Sequence, residues 1–114
     1  MENCLFCKII NKEIPSNIVF EDDKIIAFHD ISPMAPVHVL VVPKYHVESI
    51  NELNIESLEY VKYAFSKIKD IAKDLGINET GYRTIINTGS DAGQTVKHLH
   101  IHILGGTKLP EKMA

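Results

Sequence analysis

The stretch HLHIHILGG, residues 98–106, is the most informative in the chain, because histidine and aliphatic residues alternate in it before two glycines. Its three histidines are half of the six in the sequence. Strict alternation is the period of a β-strand, whose successive side chains point to opposite faces of a sheet. We therefore predict a strand over residues 98–106, with its aliphatic side chains in the core. The other face would then carry a row of three imidazoles, those of His98, His100 and His102.

The length and composition of the chain limit the class of protein to which it can belong. With 114 residues, 45% of them hydrophobic and 24% charged, it has the size and composition of one globular domain spanning residues 1–114. A formal charge of −3 argues against a nucleic acid duplex as partner, since such a partner usually requires a basic face. No apolar run approaches the roughly 20 residues of a membrane span. The N-terminal residues MENCLFCKII do not resemble a secretory signal, so we expect a cytoplasmic protein that is not bound to a membrane.

Periodicity and turn residues predict an α+β domain with an antiparallel sheet, in the order ββ–β–α–ββ. One long helix is predicted over residues 55–75, with Asn54 as its N-cap and Gly76 after its end. A short helix is predicted over residues 5–13. The apolar stripe expected to bury the long helix consists of Leu58, Val61, Phe65, Ile68, Ala72 and Leu75. Strands other than the histidine strand are predicted at residues 17–21, 24–29, 37–42 and 82–89.

The row of histidines admits three interpretations: an incidental surface strand, a metal site, or nucleophilic catalysis. A rise of about 3.3 Å per residue separates His98 from His102 by about 13 Å, so the three rings cannot converge on one ion. In the third interpretation one imidazole attacks the substrate while its neighbours orient it and bind developing charge. The preceding loop, residues 89–95, favours this interpretation, because its two glycines let backbone N–H groups approach an anion. The same loop could also be a plain connection.

Three blocks of the sequence resemble the histidine triad (HIT) superfamily. They are AGQTVKHLHIHILGG (92–106), AFHDISPMAPVHVLVVPKYH (27–46) and GYRTIINTGSDAGQ (81–94). Within the superfamily the chain is most similar to the Hint branch, the nucleoside phosphoramidases. The resemblance implies a five-stranded antiparallel sheet with one long helix, and a homodimer across which the sheet is extended. It also implies that a purine nucleotide, AMP or one of its phosphoramidates, binds beside the triad.

The resemblance implies a role for each site residue. His100 would attack the α-phosphorus and form a nucleotidyl-histidine intermediate that water hydrolyses. His102 would hydrogen-bond phosphate oxygens, His98 would hold the orientation of the site, and His38 matches a fourth active-site histidine. The implied reaction is hydrolysis of the P–N bond of purine nucleoside 5′-phosphoramidates, which requires no metal. The positions that match the family's ribose, base and phosphate contacts are Asp30, Ile31, Asn87, Gly93, Gln94 and Thr95.

Position 95 departs from the Hint pattern, in which serine is usual. Thr95, within the string GQTVKH, is similar to the diadenosine polyphosphate hydrolases of the superfamily, and that activity is an alternative. A hydroxyl is retained, so Thr95 or His102 would relay a proton to the leaving amine.

Gly105–Gly106 favours the Hint branch. The tail TKLPEKMA lacks the tryptophan of animal Hint proteins, and the preferred amine is left open. A further alternative is an interaction protein that binds nucleotide and zinc and has only vestigial activity.

Cys4 and Cys7 form a C-x-x-C pair, which by itself indicates a metal site or a redox pair. Bacterial members of the family with this pair at this position bind one zinc through two cysteines and two histidines. The matching histidines here are His46 and His98. The resemblance therefore implies a structural zinc site that clamps the N-terminal segment to the sheet. The alternative is a pair of free thiols in the first helix.

Overall fold

The computed structural model describes residues 3–113, and these form one antiparallel five-stranded sheet with a long helix on one face. The strand order is β1-β2-β3-β5-β4. The predicted α+β architecture is confirmed. No helix in residues 3–113 combines the length and apolarity that crossing a bilayer requires. The elements are α1 (Leu5–Ile10), β1 (Ile18–Glu21), β2 (Ile25–His29), β3 (Val37–Pro43), α2 (Ile55–Asp74), β4 (Tyr82–Ile85) and β5 (Ile101–Gly105), with short 3-10 helices at Ile50–Glu52 and Ser90–Ala92.

Helix α2 begins and ends where its sequence predicts. The Asn54 side chain accepts a hydrogen bond from the Ser57 N–H, and the Ser57 side chain accepts one from the Asn54 N–H. This reciprocal pair satisfies two donors that the first turn of a helix leaves free. At the other end the chain passes into the left-handed region at Gly76, whose φ is +76°, and the helix cannot continue.

The predicted apolar stripe of α2 is wrong at two positions. Leu58 is 50% exposed and Phe65 is 46% exposed, whereas Ser57 and Ala64 are fully buried. Small side chains let the helix backbone approach the sheet closely, so the buried side is rotated from the stripe that periodicity indicates. The residues of α2 that are buried are Ser57, Val61, Ala64, Ile68, Ile71 and Ala72.

Helices cover both faces of the sheet at its centre. Helix α2 packs on the face that carries Val39, Val41 and Ile101. The opposite face is covered by α1, whose buried Phe6 belongs to the cluster containing Leu40 of β3. Strand β3 therefore lies between two apolar layers, one under α2 and one under α1. Each fully buried aliphatic side chain in these layers contributes about 1.5–3 kcal/mol to the stability of the fold.

Three predicted elements are shorter in the structure. β5 begins at Ile101 and not at residue 98, because its partner β3 ends at Pro43, which has no N–H to continue the ladder. The Leu99 N–H bonds instead to the Val47 carbonyl at 2.8 Å. β4 ends at Ile85, opposite His102, because its partner β5 begins only one residue earlier, at Ile101. Helix α1 ends at Ile10 and not at residue 13, since the chain turns left-handed at residue 12, where φ is 64°.

Candidate functional site

The three triad histidines lie on one face of the chain, although only His102 belongs to β5. The aliphatic residues between them pack in the clusters under α2. The ring centroids of His100 and His102 are 5.0 Å apart, and His98 is fully buried. The predicted division of side chains between the two faces is therefore confirmed. What distinguishes the three rings is the set of partners that each one contacts.

The first ring joins a group that we call the Cys–His cluster: Cys4, Cys7, His46 and His98. Its four ligand atoms lie within 4.8 Å of one another. The Cys4 Sγ is 3.4 Å and the Cys7 Sγ 3.5 Å from the His98 Nδ1. The His46 Nδ1 is 3.3 Å from the Cys7 Sγ and 3.2 Å from the His98 Nδ1. The structure thus brings together the four residues predicted as metal ligands.

The spacing within the Cys–His cluster fits one tetrahedral ion. Zn–N bonds near 2.05 Å and Zn–S bonds near 2.3 Å would separate N from N by about 3.3 Å and S from N by about 3.6 Å. The His98 Nε2–H donates to the Pro43 carbonyl at 2.8 Å, so its Nδ1 keeps a lone pair for a metal. Burial lowers the pKa of His98 to about 4, which keeps the ring neutral. Burial and the Cys4 thiol raise the pKa of Cys7 to about 11, and a bound cation would favour its thiolate.

The second ring, His100, is held with its reactive nitrogen free. A carbonyl can only accept, so the His100 Nδ1 must carry the proton that bonds to the His98 carbonyl at 2.7 Å. The lone pair is therefore on Nε2. Burial lowers the pKa of His100 below its ordinary value, which favours the neutral ring. The Phe6 ring of α1 packs edge-on against it, with 4.9 Å between centroids.

The third ring belongs to a second group, the Asp–His group: Asp30, His38 and His102. The Met34 N–H donates to the His38 Nδ1 at 3.0 Å, so the proton of the neutral His38 ring is on Nε2. That Nε2–H donates to the His102 Nδ1 at 2.9 Å. His102 consequently carries its own proton on Nε2. Burial, and then His100 and His38, lower the pKa of His102 to about 4 and keep this ring neutral.

The Asp–His group does not fit a metal, although its three ligand atoms lie within 4.8 Å of one another. A metal on the His38 Nε2 would need a lone pair there, while the Met34 N–H already requires one on Nδ1. A neutral imidazole has only one such lone pair. The 2.9 Å between the two rings is a hydrogen-bond length, and the Asp30 Oδ2 is 3.6 Å from the His38 Nε2. The two histidines of the group form a chain of hydrogen bonds that begins at the Met34 N–H, and Asp30 lies beside this chain.

A cavity of about 290 Å³ opens between α1 and the sheet beside these rings. Five of the predicted site residues line it: Asp30, Ile31, Thr95, His100 and His102. Its apolar wall includes residues that the sequence did not single out, namely Leu5, Phe6, Ile9, Phe28 and Leu40. Strand register supplies part of that wall, because Leu40 pairs with Phe28 on one side and with His102 on the other. Correct pairing of the predicted strands could have found these two residues.

The other predicted phosphate and ribose positions do not line this cavity. The Gln94 amide holds its own loop: its oxygen accepts from the Gly89 N–H at 2.9 Å, and its nitrogen donates to the Glu48 carbonyl at 2.7 Å. Gly93 lies in the left-handed region with φ of +85°, which favours glycine at the end of the 3-10 helix. Asn87 is half-buried between β4 and this loop. His38 does not line the cavity, but it donates a hydrogen bond to His102, which does.

Comparisons with known proteins agree with this geometry. A model of the HIT domain matches residues 11–109. A HIT-like protein of Synechococcus elongatus is 49% identical over 108 residues, 95% of this chain and 94% of that protein. A HIT family hydrolase from Clostridium thermocellum has a solved structure with a TM-score of 0.95 and 48% identity, covering 100% and 99% of the two chains. A histidine triad nucleotide-binding protein from Candida albicans has a TM-score of 0.81 and 33% identity, covering 96% and 85%.

Proposed function

The chain belongs to the HIT family, and on that premise we propose that it hydrolyses the P–N bond of purine nucleoside 5′-phosphoramidates. The hydrolase from Clostridium thermocellum supports hydrolysis, and the nucleotide-binding protein from Candida albicans supports a nucleotide ligand. One observation carries the proposal: His100 presents a lone pair on Nε2, and its neighbour His102 presents an N–H. Attack on the phosphorus of an anionic phosphoramidate needs both: the lone pair forms the new bond, and the N–H binds a negatively charged phosphoryl oxygen.

In the first step the His100 Nε2 attacks the α-phosphorus, a P–N bond to the ring forms, and the P–N bond to the amine breaks. The ring becomes positively charged as this happens. Its Nδ1–H bond to the His98 carbonyl strengthens at the same time, because a charged donor makes a stronger hydrogen bond. The His102 Nε2–H donates to a phosphoryl oxygen, and a well-placed donor of this kind contributes about 3–4 kcal/mol to the transition state.

The leaving amine must gain a proton, and the Thr95 hydroxyl is suited to relay it. Thr95 is exposed and lines the cavity with His100, so its hydroxyl can accept from water while donating to the amine. In the second step water attacks the phosphorus, the bond to His100 breaks, and AMP is released. Over both steps one water is consumed: one hydrogen goes to the amine and the hydroxyl group goes to phosphorus.

The apolar wall supports a purine base as the bound group. Phe6 and Phe28 contact each other edge-to-face with 5.6 Å between ring centroids, and both line the cavity. Aromatic and aliphatic side chains of this kind accommodate a flat base. The Asp30 carboxylate lies at the same cavity, where it could accept hydrogen bonds from ribose hydroxyls. A nucleotide bound in this way would present its α-phosphorus to His100, which lines the same cavity.

We also propose that the Cys–His cluster holds zinc. Zinc bound there would supply a structural crosslink between α1, the segment after β3 and the segment before β5. His98 contacts both sites. Its ring belongs to the Cys–His cluster, and its backbone carbonyl accepts the hydrogen bond from the His100 Nδ1–H. The cluster therefore orients the nucleophile without contacting the substrate.

A homodimer joined through the sheet is a further part of the proposal. β4 is an edge strand of the sheet, so one side of its backbone has no strand partner within residues 3–113. Beside it, the half-exposed Phe65 shares a groove with Tyr82 and Thr84. Sedimentation of the wild type as a dimer, and of Phe65→Asp as a monomer with unchanged metal content, is the expected result. A monomeric wild type would contradict this part.

The test of the activity is release of a fluorescent amine from an adenosine 5′-phosphoramidate by the wild type and by His100→Ala. We expect turnover by the wild type and its loss in the variant, while both bind AMP. Lys73→Ala is the control, because Lys73 is exposed on α2 and does not line the cavity. A folded wild type that binds AMP and releases no amine would contradict the proposal.

Thr95 favours diadenosine polyphosphate hydrolysis as a second candidate activity. Diadenosine tetraphosphate is therefore compared with the phosphoramidate in the same assay, at equal concentrations. A higher kcat/KM for the polyphosphate would replace the first proposal with the second. Tight AMP binding without turnover of either substrate would instead favour a nucleotide-binding interaction protein.

A further inference from the structure

The loop between β2 and β3, residues 30–36, contributes a backbone group to the site. The Met34 side chain is 81% exposed and adds little packing. Its N–H points inward and donates to the Nδ1 of the buried His38 at 3.0 Å. A residue that looks incidental by its side chain is thus in contact with the site through its backbone.

The loop is built to hold that N–H in place. The Asp30 N–H donates to the His38 carbonyl at 2.9 Å, which closes the loop at its base. The Asp30 Oδ1 accepts from the Ser32 N–H at 2.7 Å and forms a local turn. Pro33 and Pro36 restrict φ on either side of Met34. These constraints reduce the freedom of the Met34 N–H to turn away.

The direction of this one hydrogen bond determines the direction of the next. An N–H cannot accept, so His38 is restricted to the tautomer protonated on Nε2. His102 must then accept on Nδ1, at 2.9 Å, and keep its proton on Nε2. If His38 were protonated on Nδ1 instead, both rings could reverse. His102 would then present a lone pair to an anionic phosphoryl group and repel it.

We propose that the backbone N–H of Met34 is a positioning group that selects the tautomers of His38 and His102, so that His102 faces the phosphoryl group as a donor. The functional consequence rests on the proposed function, since it requires a phosphoryl ligand. The tautomers themselves do not depend on it. The two parts can therefore be tested separately.

The first experiment uses the wild-type protein and nitrogen NMR of the histidine rings. We expect both His38 and His102 to carry the proton on Nε2 at neutral pH. Scalar couplings across the hydrogen bonds should join the Met34 amide nitrogen to the His38 Nδ1, and the His38 Nε2 to the His102 Nδ1. Protonation of His38 on Nδ1 would overturn the proposal, whatever the activity of the protein.

The second experiment removes the N–H and leaves the side chain. Replacing the Met34 amide by an ester, with the α-hydroxy analogue of methionine, deletes the donor, and Met34→Ala retains it. We expect the ester variant to populate the reversed tautomers and to lose about 10- to 100-fold in turnover, the scale of one hydrogen bond to a charged group. Met34→Ala should keep wild-type tautomers and turnover.

The outcomes separate the two ideas. Unchanged ring tautomers in a folded ester variant would overturn the inference, as would full turnover with reversed tautomers. A wild type without amine release but with the expected couplings would contradict the proposed function alone. Met34→Pro also removes the N–H. If the ester variant does not fold, the tautomers of His38 and His102 are measured in Met34→Pro, where we expect the same reversal.

Discussion

Two groups of side chains lie on either side of His100 and use histidine in opposite ways. The Cys–His cluster places a ring with a free Nδ1 among two thiols and a second imidazole. The Asp–His group places two rings in a hydrogen-bonded chain that begins at the Met34 N–H. Both groups contain two histidines whose ring nitrogens approach within about one hydrogen-bond length. Proximity alone does not distinguish them.

The difference lies in the backbone group at the far nitrogen of each ring. In His98 that group is the Pro43 carbonyl, which accepts a hydrogen bond from Nε2–H. The lone pair of the ring is therefore on Nδ1, where it can bind a metal. In His38 it is the Met34 N–H, which donates a hydrogen bond to the lone pair of Nδ1. The proton of the ring is therefore on Nε2, which acts as a donor. A carbonyl therefore prepares an imidazole to coordinate, and an N–H prepares it to pass on a hydrogen bond.

The largest effect should come from breaking the Cys–His cluster with His46→Ala. We expect metal content, measured by elemental analysis, to fall from about one zinc per chain to near zero. The free energy of unfolding should fall by about 4 kcal/mol when free metal is at about 1,000 times Kd in the wild type, because bound metal stabilises the folded state by mass action. His29→Ala is the control and should keep its metal. Near-stoichiometric zinc in His46→Ala would contradict the assignment.

The next effect should come from the other group. His38→Ala removes the donor to the His102 Nδ1, and we expect turnover to fall about 10- to 100-fold, with metal content unchanged. His38→Gln can keep a donor near the position of Nε2, so it should retain more turnover than the alanine variant. Loss of metal in His38→Ala would mean that the two groups are not independent. Equal turnover in all three proteins would remove the Asp–His group from the mechanism.

Much of this fold follows from local patterns, and its deviations have local causes. Alternation places the three histidines on one face, and Asn54 with Gly76 bounds the long helix. The pattern does not reveal that β5 starts only at Ile101, because that depends on Pro43 in another strand. Nor does periodicity show that α2 buries Ala64 in place of Phe65. Both depend on tertiary packing.

The candidate site divides in the same way. Histidines, cysteines and their spacing identify the residues, but the partners of each ring are remote in sequence. Cys4 and His98 are separated by 94 positions, and His38 and His102 by 64. The Met34 N–H has no sequence signature at all, since every residue except proline has such a group. The identities of site residues are therefore more predictable than their protonation.

The smallest effect should come from Asp30→Asn. The Asp30 Oδ2 is 3.6 Å from the His38 Nε2, beyond a good hydrogen bond, and the His102 Nδ1 at 2.9 Å is the nearer acceptor. Asparagine keeps an oxygen for the Ser32 N–H. We expect kcat at saturating substrate to change by about fivefold or less, the scale of a weak ion pair. A loss as large as that of His38→Ala would mean that the Asp30 carboxylate is a required acceptor for the His38 Nε2–H.

The central claim is that fixed tautomers make His100 alone the nucleophile, and it is tested most directly by trapping the intermediate. The wild type is mixed with an adenosine 5′-phosphoramidate, quenched within one turnover, and digested for peptide mass spectrometry under conditions that preserve phosphorus–nitrogen bonds. The account predicts a nucleotidyl group on His100 and none in His100→Ala. A nucleotidyl group on His98 or His102, in a wild type that turns over, would contradict it.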